Sequence, residues 1–183
     1  MQAEDQQSGM EFDVVQGDIA AQSADALVNA AGTSLRMGSG VAGALRRAAG
    51  EEINEAAISK GPVELGGVAV TDAYDLDAKY VIHAAAMPHY GDGKATAESI
   101  RDATRNALGR AEELGCESLV IPALGTGVAG FSTADGARII AEEIAAHEPT
   151  HLADVRIVAF DEGDYDEIAR VAADVRGERG LAD

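Results

Sequence analysis

Two glycine-rich segments with the same spacing occur in this 183-residue chain. The first, "GSGVAG", occupies residues 38–43 and the second, "GTGVAG", occupies residues 125–130. Glycine adopts positive φ angles and lets a ligand approach the backbone closely, and exposed N–H groups beside a helix N-terminus bind phosphate. One such segment alone is as readily a tight turn. Two that share "GVAG" favour a site that holds a diphosphate from both sides.

Two familiar phosphate-binding patterns fit these segments less well. A Rossmann dinucleotide site needs an acidic residue about 20 residues after its glycines, at the end of the next strand. Here that distance reaches the helical "EEINEAAISK" at residues 51–60. A P-loop needs Gly-Lys-Ser/Thr, which follows neither segment. An NAD-dependent oxidoreductase is therefore the weaker alternative.

Isolated histidines offer further candidate chemistry. His83 ends the strand-like "YVIH" and could serve as a base, although a hydrogen-bonded histidine at the edge of the core is the simpler interpretation. His89 and Tyr90 lie in the turn-rich "MPHYGDG", which either borders a cleft or is plain surface. His147 and His151 are four residues apart, but Pro149 interrupts the helix between them, and we predict no metal site.

Cys116 is the single cysteine of the chain, so no internal disulfide can form. It begins an apolar strand and has no histidine at a catalytic spacing. We predict that it packs in the core rather than acting as a nucleophile. A lone cysteine also fits a reducing cytosol.

Short β-branched runs alternate with helical patterns along the chain. The predicted strands are 11–16, 26–29, 67–73, 80–85, 118–123 and 155–160. The predicted helices are two within 41–61, broken near Gly50, then 95–115, 132–147 with Ser132 and Asp135 spaced as a capping pair, and 164–177. Such alternation predicts an α/β sandwich with a mainly parallel sheet. Both glycine segments follow strands and would lie at their carboxyl ends, where such folds bind ligands.

Charge and composition limit the classes of partner. The chain has 32 Asp and Glu against 14 Lys and Arg, a net charge of −18. This charge disfavours nucleic acid and anionic membranes as partners, and no apolar run is long enough to span a bilayer.

We predict a polar, disordered leader over residues 1–9, one domain over 10–177 and a tail over 178–183. We expect a cytoplasmic monomer.

Four ordered segments carry a family resemblance. They are "VVQGDIAAQSADALVNAAG" (14–32), "GSGVAGALRRAAG" (38–50), "VIPALGTGVAGF" (120–131) and "VAFDEGDYD" (158–166). Together they resemble a macrodomain, the ADP-ribose-binding module, over nearly the whole chain. The resemblance implies a three-layer α/β/α fold with a mixed sheet. It also implies a cleft for ADP-ribose, free or attached to protein, with no other cofactor.

The resemblance assigns an adenosine end to the cleft. Asp18 would accept a hydrogen bond from the adenine amino group beside the Ile19 backbone, and Phe160 would pack on the adenine. Asp161 most simply caps the last helix, with contact to the adenine ribose as a second role. A carboxylate is a sensible acceptor for an amino group, although Asp18 could equally be the N-cap of "IAAQS". Without the resemblance, Phe131 and Phe160 are each predicted to pack in the core.

The resemblance also assigns the diphosphate and the distal ribose. Ser39, Gly40, Val41 and Ala42 would line one side of the diphosphate. The other side would be lined by Leu124, Gly125, Thr126, Gly127, Val128 and Ala129. Asn29 and Gly32 would line the distal-ribose end.

Departures from the family pattern bear on catalysis. Hydrolytic macrodomains usually carry "NAAN", and here Gly32 replaces the second asparagine. Ala42 replaces an aspartate, Ser39 a glycine, and Ala129 an aromatic residue that shields the distal ribose. Because a catalytic group of this kind contributes roughly 10²- to 10⁴-fold, we predict binding. The alternative is a hydrolase that removes mono-ADP-ribose from proteins or processes ADP-ribose derivatives.

The chain has 32 carboxylate side chains, and only three of its 14 basic residues are lysines. This composition also suggests a salt-adapted protein. Molar KCl screens the repulsion among these carboxylates, and we therefore expect it to raise the thermal unfolding midpoint. Equal midpoints with and without the salt would contradict this hypothesis.

Overall fold

Five parallel strands and one antiparallel strand form the central sheet of the computed structural model, which describes residues 10–89 and 93–179. The strands are β1 (Asp13–Gln16), β2 (Ala26–Gly32), β3 (Val68–Asp72), β4 (Tyr80–Met87), β5 (Ser118–Pro122) and β6 (Asp154–Ala159). Their order across the sheet is β1-β6-β5-β2-β4-β3, and β3 runs antiparallel to β4. The prediction of a mixed, mainly parallel sheet is confirmed.

Helices cover both faces of the sheet. The helices are α1 (Gly40–Ala49), α2 (Glu52–Lys60), α3 (Ala97–Glu113), α4 (Thr133–Ala146) and α5 (Glu162–Arg179). The predicted break near Gly50 separates α1 from α2, where Gly50 has a φ of 108°. The predicted leader over 1–9 lies outside the described residues, as do residues 180–183 of the predicted tail. Residues 178 and 179, which we assigned to that tail, instead form the end of α5.

Alternate residues of β2 explain the three layers. Leu27 packs with Leu45 and Ile53 of the α1–α2 layer, whereas Val28 packs in the core of the α3–α4–α5 layer. Side chains on both faces are thus buried, which is why these strands read as almost continuous apolar runs.

The parallel strands bring distant segments to one edge. The carboxyl ends of β1, β6, β5, β2 and β4 lie together because neighbouring strands in this series pair in parallel. Segments 17–19, 160–161, 123–130, 33–39 and 88–89 follow these ends. Both glycine segments therefore lie at the ligand-binding edge of the sheet.

Gly125 fixes the second glycine segment against α3. It has a φ of +77°, and a Cβ atom built on it would lie 2.6 Å from two side-chain atoms of Ile100. Ile100 is fully buried on α3, so it has no room to move. Gly127 also has a positive φ, +67°, but a Cβ there would meet nothing within 4 Å.

These two glycines form a matched pair for a stability test. Gly127→Ala should lower the free energy of unfolding by about 1–2 kcal/mol, the cost of a left-handed alanine. Gly125→Ala should cost about 1–3 kcal/mol more because it also overpacks the core. Urea denaturation of both variants measures the difference, and equal losses would show that Ile100 does not constrain this loop.

Glu112 joins the end of α3 to the connection between α4 and β6. Its Oε1 accepts hydrogen bonds from Thr150 Oγ1 (2.9 Å), His151 N (2.6 Å) and Leu152 N (3.2 Å). Its Oε2 accepts from Thr150 N (3.1 Å) and is 2.7 Å from His147 Nε2. Burial alone raises the pKa of this carboxyl, but the hydrogen bonds from His147, His151 and Thr150 outweigh burial and lower the pKa to about 2. His147 thus contacts a carboxylate.

Removing this charge should destabilise the fold. Glu112→Gln should lower the free energy of unfolding at pH 7 by about 2–3 kcal/mol, because amide N–H groups lose a charged acceptor. The neighbouring Glu113→Gln is the control: its side chain is 69% exposed and pairs with Arg110, so we expect a change below about 0.5 kcal/mol.

The pH dependence has a defined direction. The folded pKa of Glu112 is lower than its ordinary value of 4.5, so its contribution is present above pH 4.5 and is lost as the pH falls towards 2. The difference between the parent chain and Glu112→Gln should therefore shrink in acid. A difference that stays constant between pH 7 and 3 would contradict this account.

Candidate functional site

The first glycine segment leads into a helix without a side-chain cap. α1 begins at Gly40, which has a φ of +63°. Ser39, the N-cap residue, has extended backbone, and its side chain makes no capping hydrogen bond. The first N–H groups of a helix have no partner within it. The backbone N–H groups of Gly40, Val41 and Ala42 are therefore oriented as donors at the cleft edge of the sheet.

The second glycine segment also contains the start of a helical turn that no side chain caps. A single 3₁₀ turn spans Gly127–Ala129, and its N-cap Thr126 makes no side-chain capping bond. Instead, Thr126 Oγ1 donates to the Ala123 carbonyl at 2.9 Å. By contrast, Thr96 and Ser132 cap α3 and α4 by accepting N–H groups of their first turns. The two segments share uncapped helical starts.

Two cavities open beside the start of α1. One has a volume of about 730 Å³ and is lined by Ala30, Gly32, Ser34, Arg36, Gly38, Ser39, Ala42, Met87 and His89. We call it the ribose-side cavity and the second one the adenine-side cavity, after the parts of the ligand that the family resemblance assigns to Gly32 and Asp18. The other, the adenine-side cavity, has a volume of about 500 Å³ and is lined by Gly17, Asp18, Ile19, Gly40, Val41, Ala44, Arg47, Pro122, Val158, Phe160, Asp161 and Asp164. α1 therefore begins between the two.

Not every predicted site residue lines these cavities. Those that do are Asp18, Ile19, Gly32, Ser39, Gly40, Val41, Ala42, Phe160 and Asp161. Asn29, Leu124, Gly125 and Ala129 are buried, and Thr126 and Gly127 line neither cavity. The Val128 side chain lies outside the described part of the structure. The assignment of these residues to the ligand stays a prediction. Pro122, at the end of the strand β5 that precedes the second glycine segment, lines the adenine-side cavity.

Asp18 has both of the properties expected of it. It is the N-cap of a 3₁₀ turn over Ile19–Ala21, and its Oδ1 accepts the Ala20 N–H at 2.9 Å. The side chain is also exposed and lines the adenine-side cavity. Because the cap uses one carboxyl oxygen, Oδ2 is left to accept from a ligand.

Phe160 is the most exposed of the large apolar side chains in the described part of the chain. It is 76% exposed and lines the adenine-side cavity directly after β6. Packing of Phe160 in the core, the expectation without the family resemblance, is therefore wrong, whereas Phe131 is partly buried against the core as expected. An exposed aromatic face in a cavity is suited to stacking on a flat ring.

Gly32 leaves room for the connection that follows β4. A Cβ atom on Gly32 would lie 3.0 Å from the Pro88 carbonyl oxygen and 3.6 Å from His89 Cα. The backbone of Pro88 and His89 thus lies against the position where the family resemblance leads us to expect an asparagine. His89 itself lines the ribose-side cavity, and Tyr90 lies outside the described residues.

His83 belongs to a polar chain inside the sheet. It is fully buried, with Nδ1 at 2.9 Å from Asn29 Nδ2 and Nε2 at 3.0 Å from Thr71 Oγ1. Thr71 donates its hydroxyl proton to the Asp72 carbonyl, so Thr71 accepts from Nε2–H, and Nδ1 accepts from Asn29. Burial lowers the pKa of His83 to about 4, which keeps the ring neutral. This geometry places His83 in the core, more deeply than the expected half-buried position.

Two cationic groups escaped the sequence analysis. Arg36 lines the ribose-side cavity and Arg47 lines the adenine-side cavity. Arg47 could have been found from helical spacing, because it lies seven residues after Gly40 on the same face of α1 as Ala44. Arg36 lies in an irregular connection, where spacing predicts nothing.

The remaining candidates lie away from the cavities. Cys116 is buried, and burial raises the pKa of its thiol. Across residues 10–89 and 93–179, no three His, Cys, Asp or Glu side chains are arranged to hold a metal ion. None of the helices in the same ranges has the length and apolar character needed to cross a bilayer.

Solved structures and sequence relatives resemble this chain. An Oceanobacillus iheyensis macrodomain variant with ADPR is 28% identical, with a TM-score of 0.80 over 90% of this chain and 92% of that one. A Trypanosoma brucei macrodomain in complex with ADP-ribose is 26% identical, with a TM-score of 0.77 over 86% and 67%. Both confirm the α/β fold.

The sequence relatives differ in length. An uncharacterized Saccharolobus solfataricus protein is 40% identical over 86% of this chain and 90% of its own length. An uncharacterized Mycobacterium tuberculosis protein is 42% identical over 95% of this chain, which spans about half (47%) of that relative. Residues 28–140 match the Macro domain family. The chain belongs to the Macro domain family.

Proposed function

We propose that this chain binds ADP-ribose, free or attached to protein, across the two cavities beside α1. The observation that carries this proposal is the uncapped start of α1, whose N–H groups lie between an adenine-side cavity and a ribose-side cavity. A diphosphate is the anion that such a helix start favours. The complexes of two related macrodomains with ADPR and ADP-ribose support the same ligand.

The adenine-side cavity suits the base. Phe160 would stack on the adenine ring, and Asp18 Oδ2 would accept a hydrogen bond from its amino group. Adenine carries this amino donor at the position where guanine carries a carbonyl acceptor. A carboxylate next to that position therefore favours adenine over guanine.

Binding is favoured over turnover at the ribose-side cavity. Glycine and alanine stand at positions 32 and 42, and neither side chain can activate water. His89 is the titratable group that lines this cavity, so hydrolysis of mono-ADP-ribosylated protein is the second candidate function. The cytoplasmic location, the monomeric state and salt adaptation stay predictions.

Isothermal titration with ADP-ribose, AMP and NAD tests the proposal. We expect ADP-ribose to bind more tightly than AMP or NAD. Asp18→Asn should weaken ADP-ribose about tenfold, because asparagine keeps the N-cap but replaces a charged acceptor for the adenine amino group. Asp166→Asn, on the exposed surface of α5, is the control and should change nothing.

Three results would contradict the proposal or parts of it. No heat of binding with ADP-ribose at millimolar concentration would overturn the proposal. Steady release of ADP-ribose from a mono-ADP-ribosylated protein would establish turnover in place of simple binding. Tight NAD binding with hydride transfer would favour an oxidoreductase.

A further inference from the structure

Arg47 lies along the cleft face of α1 and reaches back towards the start of that helix. It lines the adenine-side cavity with Gly40, Val41 and Ala44. A Cβ atom on Gly43 would lie 3.4 Å from Arg47 Nη1 and 3.2 Å from the Gly38 carbonyl oxygen. The guanidinium thus lies within van der Waals distance of the Gly43 position, on the first turn of α1.

Arg47 belongs to the last turn of α1, but its guanidinium extends towards the other end of the helix. The N-terminus of a helix carries partial positive charge, which repels a guanidinium held close to it. An arginine side chain also has many rotamers that point into solvent. An anion between the guanidinium and the helix start would convert the repulsion into two attractions.

Arg46, the neighbour of Arg47 on α1, and Arg101 on α3 are paired, in contrast to Arg47. Arg46 binds Glu51 at 2.6–3.1 Å and the Met37 carbonyl at 2.8 Å, and Arg101 binds Glu142 and Glu143. Within the described residues, the Arg47 side chain makes no hydrogen bond or ion pair, although three aspartates line the same cavity. Among the described residues, the side chains of Arg36 and Arg170 also lack such partners, but of these three arginines it is Arg47 that lines the adenine-side cavity.

Resting on the proposed function, we infer that Arg47 is a ligand-binding residue that contacts the diphosphate. The uncapped N–H groups of α1 hold the phosphate oxygens from one direction, and the guanidinium closes on them along the helix face. Arginine suits this role because its planar group donates two parallel hydrogen bonds to a phosphate. Arg47 therefore supplies the positive charge that the acidic surface lacks.

Titration of adenosine, ADP and ADP-ribose against Arg47→Gln tests this inference. We expect ADP and ADP-ribose to bind about tenfold more weakly, with adenosine unchanged because it has no phosphate. Arg47→Lys should recover part of the loss, since it keeps the charge but not the planar group. Arg170→Gln, an exposed arginine on α5, is the matched control and should leave all three affinities unchanged.

The outcomes separate this inference from the proposed function. If the parent chain fails to bind ADP-ribose, the proposed function fails. If the parent chain binds it and Arg47→Gln binds ADP and ADP-ribose equally well, the inference on Arg47 is overturned alone. Equal weakening of adenosine would also overturn it, because Arg47 would then act on the shape of the cavity. An unchanged unfolding midpoint verifies that each variant is folded.

Discussion

Backbone N–H groups at the start of a helix need acceptors, and α1 begins without a side chain to provide one. The sheet places this helix start at the edge where five parallel strands end, with one cavity on each side. The local architecture follows from that constraint. Gly40 turns the chain into the helix with a positive φ, and Gly43 lets the Gly38 carbonyl lie close to the first turn. The anion site that we propose in this acidic protein relies on short-range dipoles and on the Arg47 guanidinium rather than on the overall field.

The second glycine segment has different surroundings from the first, despite their shared tetrapeptide. Gly125 is buried against Ile100 and anchors its loop to the core. The first segment lines cavities on both sides and has little support from the core around Gly38 and Gly40, where a Cβ atom would meet nothing within 4 Å. Equal spacing of glycines therefore predicted where both loops turn, but not how each of them is used.

Local patterns predicted the fold well because each strand and helix follows a local rule. Apolar β-branched runs gave the six strands, and Gly50 gave the break between α1 and α2. The site was harder, since its features depend on contacts between distant residues. Gly32 at the end of β2 lies against the carbonyl of Pro88, which follows the neighbouring strand β4. The exposure of Phe160 depends on whether other parts of the chain cover its ring. The spacing of residues along the chain predicts neither the contact nor the exposure.

The polar chain of Asn29, His83 and Thr71 has a consequence for how the sheet assembles. It crosses three adjacent strands, and each member depends on the alignment of β2, β4 and β3. A shift of β4 by one residue would turn the imidazole to the opposite, apolar face of the sheet and remove both of its partners. A misaligned sheet would then contain a buried His83 imidazole without hydrogen bonds. The trio thus selects one strand alignment among several that apolar side chains alone would tolerate.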